Sequence, residues 1–265
     1  MILSVVIPTR NEAENIVACL RAFADFRDRL ELIVVDNSSA DDTQALAAAE
    51  GARVFVQGPE RCTQRNRGWR EASGEYVMFV DADMIVPAET IEEILKSCEA
   101  NGPALFVREV RSGSGLRLKA RNFERSFYDA TLIDGLRVIR RADLERVGGY
   151  DEGLVACEDW DLDRRLMASG VPTALTRGHL IHNEARQNLK KFLAKKAYYS
   201  ESVGRYRAKW KDDAIIRRQF GLAYRFWGVY VENGKWKRLL AHPILTSVMY
   251  LERFLVGLTY LLNRK

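Results

Sequence analysis

Cysteine is scarce. The 265-residue chain has four, Cys19, Cys62, Cys98 and Cys157, all far apart. That spacing makes neither a disulfide framework nor a zinc site of close Cys-x-x-Cys pairs. Internal repeats are absent, which excludes a repeat architecture. Long apolar runs are missing too. The most apolar stretch, Ile244–Leu262, carries Glu252 and Arg253 near its middle. A spanning helix needs about 20 predominantly apolar residues, and each central charge costs about 2.5–3.5 kcal/mol on insertion scales. The stretch therefore reads as an interfacial or packed helix. No leader is expected, because Ser4–Ile7 is already strand-like and a charged loop follows. The expected compartment is reduced and cytosolic.

What is present describes a globular chain. Hydrophobic residues make up 47% and charged residues 29%, which excludes disordered and collagen-like classes. The length suits one large domain, or one domain with an appendage. The formal net charge of +5 hides a split. Arg177 to Lys265 holds 19 Lys/Arg against 6 Asp/Glu, so +13, and the preceding residues hold 22 against 30, so −8. The basic part also contains Trp210, Trp227, Trp236 and seven of the ten tyrosines. An acidic front and a basic, aromatic tail imply different partners.

The front alternates strands and helices. Ile2–Ile7, Leu32–Val35, Arg53–Val56 and Tyr76–Val80 read as strands. Helices are expected over Glu12–Phe26, from Asp42-Thr43 to about Glu50, over Thr63–Ala72, and after Pro87 through Ile91–Cys98. This alternation predicts an α/β fold with a parallel sheet and helices on its faces. Ligands of such sheets bind beyond the carboxyl ends of the strands. Those ends carry Pro8-Thr9-Arg10-Asn11-Glu12, Asp36-Asn37-Ser38 and Asp81-Ala82-Asp83. From about Arg111 to Asp134 the pattern weakens. Gly135–Arg140 then reads as a strand, Arg141–Val147 as a short helix and Glu158-Asp159 as the start of another. A short strand is expected at His179–His182, and helices follow to the end.

Two acidic pairs carry the chemistry. Asp81 and Asp83 flank one small residue at the end of a buried strand. Such a pair can hold Mg²⁺ or Mn²⁺ by oxygen, together with substrate phosphates. A triplet of this kind away from a strand end is usually a pair of solvated loop acids. Glu158-Asp159 either supplies a base for a substrate hydroxyl or caps a helix and complements its dipole.

The motif order bears on that choice. Val5-Val6-Ile7-Pro8-Thr9-Arg10-Asn11-Glu12 comes first, then Ile33-Val34-Val35-Asp36-Asn37-Ser38-Ser39 with Asp41-Asp42-Thr43. Arg65-Asn66-Arg67-Gly68 and Ala72-Ser73-Gly74-Glu75-Tyr76 follow, then Phe79-Val80-Asp81-Ala82-Asp83. Arg140-Arg141 with Gly148-Gly149-Tyr150-Asp151-Glu152, and Glu158-Asp159-Trp160-Asp161-Leu162 with Arg165-Leu166, complete the series. Over about residues 2 to 183 this resembles family 2 glycosyltransferases of the GT-A fold. The resemblance implies a Rossmann-like, mostly parallel sheet, a nucleotide-sugar donor and transfer with inversion. It implies a catalytic domain over 1–185, with a nucleotide-sugar half to about 110 and an acceptor half over about 111–185. Residues 186–265 form a basic, aromatic helical extension.

The resemblance also implies roles. Pro8, Thr9, Arg10 and Glu12 line the nucleotide site, Asp36 contacts the base with Ser38 beside it, and Arg65 reaches base or phosphates. Asp83 leads in holding Mn²⁺ or Mg²⁺, while Asp81 and Ala82 support metal and ribose. Asp159 is the expected base, with Glu158 the second candidate. His182 is weighed equally as a metal or phosphate ligand and as a structural hydrogen-bonding residue; His179 is the weaker candidate. Trp160 either stacks on an acceptor sugar or packs in the core, where Trp69 is expected. Processive relatives carry Gln-x-x-Arg-Trp after this helix. Arg186-Gln187-Asn188-Leu189-Lys190 does not match it, so one sugar per encounter is expected.

Asp36 and Arg65 favour UDP-sugars, and lipid-linked or other glycans are the expected acceptors. The tail mixes cations with Trp and Tyr in Lys190–Tyr199, Arg205–Lys211 and Lys235–Leu240. Such segments favour an anionic membrane surface, so a peripheral enzyme on the cytoplasmic face is expected. A solvated basic face with a docked helix is the plainer reading. Nucleic acid is not an expected partner. Two other functions compete. A sugar-phosphate nucleotidyltransferase would show a Gly-rich loop where Pro8–Glu12 stands, and a scaffold with a relict site would not need Asp81, Asp83, Glu158 and Asp159.

Overall fold

A computed structural model describes residues 1–183, 203–211 and 213–262, with side chains to residue 255. The first half builds β1 (Leu3–Thr9), α1 (Ile16–Arg21), β2 (Leu30–Asp36), α2 (Thr43–Ala49), β3 (Arg53–Val56), α3 (Arg61–Glu71) and β4 (Tyr76–Phe79). Next come β5 (Met84–Ile85), α4 (Ala88–Glu99), β6 (Ala104–Arg111), α5 (Leu116–Arg125), β7 (Leu136–Arg140), α6 (Arg141–Val147), α7 (Glu158–Ala168) and β8 (Thr173–His182). The eight strands form one sheet in the order β3-β2-β1-β4-β7-β6-β8-β5.

The pairings β1–β2, β1–β4, β2–β3 and β6–β8 are parallel, as expected of an α/β sheet. The pairings β4–β7, β6–β7 and β5–β8 are antiparallel, so the sheet beyond β4 is mixed. Alternation along β1 divides the core between the sheet faces. Leu3, Val5 and Ile7 pack with Ile16, Leu20, Ile91 and Leu95 on one side. Val6 packs with Trp69, Leu162 and Leu166 on the other, so Trp69 is a core residue as read.

Several elements differ from the sequence reading. Pro8 lies inside β1, beyond Val6, the last residue paired with β4, where a missing N–H is tolerated. The helix expected over Glu12–Phe26 shortens to α1 and a 3-10 turn, Ala24–Phe26. Asn15 explains the late start: its backbone N–H and side-chain amide both bond back to Glu12. β8 begins at Thr173 rather than at His179 because its first three positions are half-exposed or exposed, Thr-Ala-Leu, and give no clean alternation. β6 and α5 fall where the pattern weakened. α5 is strongly basic, yet Ala120, Phe123 and the following Phe127 are buried at helical spacing.

The described part of the tail is helical and packs on α5 and α7. Phe123 and Phe127 meet Tyr230 and Met249, and Trp160 meets Tyr206 and Phe220. The Pro243–Leu262 helix docks on α5 through the charges that argue against a span. Arg253 bonds Glu124, Tyr128 Oη at 2.8 Å and the Arg225 carbonyl at 2.6 Å. Among the described residues no helix is long and apolar enough to cross a membrane. Lys190–Tyr199 and the Arg186–Lys190 segment lie outside the described residues.

Candidate functional site

The carboxyl ends of β1, β2 and β4 meet as expected. The Glu12 N–H donates to Thr43 Oγ1 at 2.8 Å, tying the first loop to the second. Burial raises the Glu12 pKa, and the nearby Asp83 and Asp81 charges raise it further, so these loops share one acidic region. Arg10 and Ser38 are exposed at the rim. Ser38 sits at φ +49°.

Asp36 is surrounded by donors of the protein itself. Its Oδ1 accepts from Ser39 N and Gln44 Nε2 at 2.7 Å each. Its Oδ2 accepts from Thr9 Oγ1 at 2.8 Å and Ser39 Oγ at 2.5 Å. Four donors fill the lone-pair sites of a carboxylate. Asp36 is fully buried, so here it organises the loop, and meeting a base requires one of these donors to move.

The Asp81-Ala82-Asp83 triplet also divides its work. The β5–β8 pairing sets Met84 opposite His182 and brings His182 beside Asp83. His182 Nε2 lies 3.2 Å from Asp83 Oδ2, and His182 Nδ1 lies 2.9 Å from Glu109 Oε1. Burial works against charge on His182, but those two carboxylates outweigh it and push the pKa up to about 10. Burial likewise opposes charge on Glu109, and the His182 bond and Arg137 bring it down to about 2. Asp81 does not join them. Among the described residues no group of three or more His, Cys, Asp or Glu is gathered as for a metal. The Asp81 carboxylate turns to Arg65, 3.2 Å away, and Arg137, 3.8 Å away, because those cations offset its desolvation. Despite its burial, they hold its pKa well below the usual range. Asp83 and His182 alone form an O,N pair that suits Mn²⁺ or Mg²⁺ while leaving positions for phosphate oxygens.

Arg65 occupies the centre. It projects from α3, is 3% exposed, and its guanidinium lies over the Tyr150 ring at 5.2 Å. Nη1 meets Asp159 Oδ1 at 2.9 Å and Glu158 Oε1 at 3.7 Å. Arg65 is thus held by carboxylates from two distant loops. Asn66, the next residue, fixes Tyr150: it donates to the Tyr150 carbonyl at 2.9 Å and accepts its N–H at 2.8 Å. This grip explains Gly149, whose Cβ would lie 2.5 Å from Asn66 Oδ1 and whose φ is +72°.

Glu158 and Asp159 open α7 after Cys157, which sits at φ +63°. The Asp159 side chain is 40% exposed and that of Glu158 only 6%. Burial and the Asp159 charge push Glu158 up to about 7. Asp159 and Trp160 line a cavity of about 200 Å³, with Arg65, Arg137, Tyr128 and Asp134 among its walls. Trp160 packs against Phe220, ring centroids 5.7 Å apart, and also lines the cavity. His179 stays outside this group: its carbonyl accepts from Thr90.

Glu109, Arg137 and Tyr150 join the site only in the folded chain. Glu109 and Arg137 each interrupt a mostly apolar strand, which is the trace they leave in the sequence.

Residues 4–148 match the family described as Glycosyl transferase family 2. The chain belongs to this family. The family 2 chain is 38% identical over 96 residues to glucosyl-3-phosphoglycerate synthase of Mycobacterium tuberculosis, covering 32% of this chain and 30% of that protein. It therefore spans less than a third of that relative's length. Its fold is similar to mannosyltransferase PcManGT from Pyrobaculum calidifontis in complex with GDP-Man and Mn²⁺. That likeness has a TM-score of 0.62 at 18% identity, over 99% of this chain and 81% of that one. It is also similar to the Mycobacterium tuberculosis synthase in complex with Mn²⁺, UDP and glucosyl-3-phosphoglycerate. There the TM-score is 0.53 at 21% identity, over 76% of this chain and 78% of that one. These likenesses establish the GT-A fold.

Proposed function

We propose that this chain is an inverting glycosyltransferase. It moves one sugar from a nucleotide-diphosphate sugar, UDP-sugars favoured, to a hydroxyl of a lipid-linked or other glycan acceptor. The observation that carries the reading is the placement of Asp159 at a cavity, with Arg65 linking it to Asp81 beside Asp83 and His182. A single displacement needs a base on one side of the sugar and a neutralised leaving group on the other. Asp159, the more exposed acid, takes the proton from the acceptor hydroxyl. Glu158 lies behind it, out of the cavity wall.

Asp83 and His182 would hold Mn²⁺ or Mg²⁺, which supplies Lewis-acid neutralisation of the departing diphosphate. Glu109 fixes the His182 ring by its other nitrogen, an arrangement that orients a ligating histidine. Pro8, Thr9, Arg10, Glu12, Ser38 and Ala82 border the donor, and Arg65 holds Asp81 ionised while pairing with Asp159. The catalytic domain spans 1–185, and residues 186–265 extend it.

The test is nucleotide release from UDP-, GDP- and dTDP-sugars with an acceptor panel and Mn²⁺, with and without EDTA. Metal-dependent nucleoside diphosphate release is expected. Pyrophosphate release would favour a nucleotidyltransferase, and no turnover a scaffold.

An anionic membrane surface at the tail is the partner this reading favours. Trp227, Ile244, Leu251, Phe254 and Leu255 are all more than half exposed. Anionic liposomes at low salt should retain the protein; its recovery in the unbound fraction would remove the membrane from the account.

A further inference from the structure

A second cavity, of about 360 Å³, adjoins the one at Asp159. Trp160 and Asp134 line both. The floor is one face of α7: Trp160, Asp163, Arg164 and Met167 follow at the i, i+3, i+4, i+7 spacing that puts side chains on one side of a helix. From Asp159 to Met167 that face runs about 12 Å at 1.5 Å per residue. The opposite wall comes from Leu132 and from the tail, through Gln219, Tyr224 and Asn233. A groove thus starts at the proposed base and continues past the length of one pyranose ring.

Its chemistry is selective. Trp160 presents aromatic surface, while the Tyr224 ring is covered by the Arg218 guanidinium 4.7 Å from its centroid. Arg164 and Arg218 do not offer free charge, since Arg164 pairs with Asp213 at 2.5 Å and Arg218 with Glu232 at 3.2 Å. An anionic ligand therefore gains little here. Asp163 is 6% exposed and accepts from the Leu136 N–H alone, at 3.1 and 3.3 Å to its two oxygens. Burial, aided by the Asp159 charge, pushes its pKa well above the usual carboxylate range. A carboxyl that keeps its proton both donates and accepts. An aromatic wall at Trp160 beside neutral donors and acceptors matches a hydroxylated ring.

We propose that this second cavity is an acceptor subsite for the sugar next to the one that receives the transferred unit, so that the acceptor is a saccharide of at least two residues. The inference rests on the glycosyl-transfer reading for its purpose, yet it is tested by binding alone. Labelled protein is applied to a printed array of mono- to tetrasaccharides, with phosphorylated sugars alongside. Wild type, Met167→Trp and Asn233→Gly are compared. Met167 is 43% exposed, so tryptophan fills the cavity from its rim. Asn233 sits at φ +55°, which glycine tolerates. Thermal unfolding confirms that each variant folds.

Wild type should be retained at least about tenfold better on disaccharides and longer chains than on monosaccharides, a difference of about 1.4 kcal/mol. Both variants should lose that advantage. Equal retention on monosaccharides, retention insensitive to both variants, no retention, or retention on phosphorylated sugars alone overturns the subsite. Loss of nucleotide release in the transfer assay would instead remove the glycosyltransferase reading.

Discussion

Arg65 Nη1 lies 2.9 Å from Asp159 Oδ1, although the two residues are 94 positions apart. The same guanidinium reaches Asp81 at 3.2 Å. One buried cation thus serves both acidic motifs. Removing one member of a buried ion network costs about 3–5 kcal/mol, because the others stay charged without a partner. Arg65→Met should lose stability of that order by equilibrium denaturation. Arg65→Lys should recover only part of it, since an ammonium lacks the planar fork. A loss below about 1 kcal/mol for Arg65→Met would mean the network is solvated.

Asp159→Asn tests the base. Turnover should fall about 10²–10⁴-fold, the usual contribution of general-base catalysis. Donor binding by calorimetry should stay near the wild-type value, since the side chain faces the acceptor cavity. Strong residual turnover would move the base elsewhere, with Glu158 the next candidate.

Glu158 gives a pH test of stability. Its pKa is raised to about 7 in the folded chain from an ordinary 4.5. A raised carboxyl contributes stability that is fully present below the unfolded value and lost as pH rises through the folded one. Glu158→Gln removes this dependence. The variant should therefore gain in Tm relative to wild type as pH rises from about 4.5 to about 7. A difference that is flat over that window would contradict the buried, protonated state.

His182 predicts how metal affinity responds to pH. It holds a proton up to about 10 between Asp83 and Glu109. That proton must leave before Nε2 can ligate, so Mn²⁺ affinity with UDP should tighten as pH rises from 6.5. In His182→Gln the affinity should be weaker and its pH dependence shallower, by calorimetry. An identical pH profile in the variant would exclude His182 as a ligand.

Local order was legible wherever a periodic pattern was strong. The runs that became β1, β2 and β4, their polar ends and the start of α7 at Glu158 follow from short-range apolar spacing. So does membership of the acidic motifs, because Asp81-Ala82-Asp83 and Glu158-Asp159 stand at element ends. The charge count likewise separated the acidic front from the tail, and Glu252 and Arg253 already argued against a span.

Which acid does what was decided only in three dimensions. Asp81 and Asp83 look equivalent in sequence, yet Arg65 and Arg137 claim one and His182 the other. Asp36 stands where the resemblance places a base contact, yet the folded loop fills its lone pairs. Glu109 and Arg137 enter through strands β6 and β7, whose pairing no local pattern reports. The physical reason is common to all of these. Burial makes an unpaired charge costly, so the partner that reaches it in space sets its state, and the partner can be near in sequence, as Ser39 is to Asp36, or 99 positions away, as His182 is from Asp83.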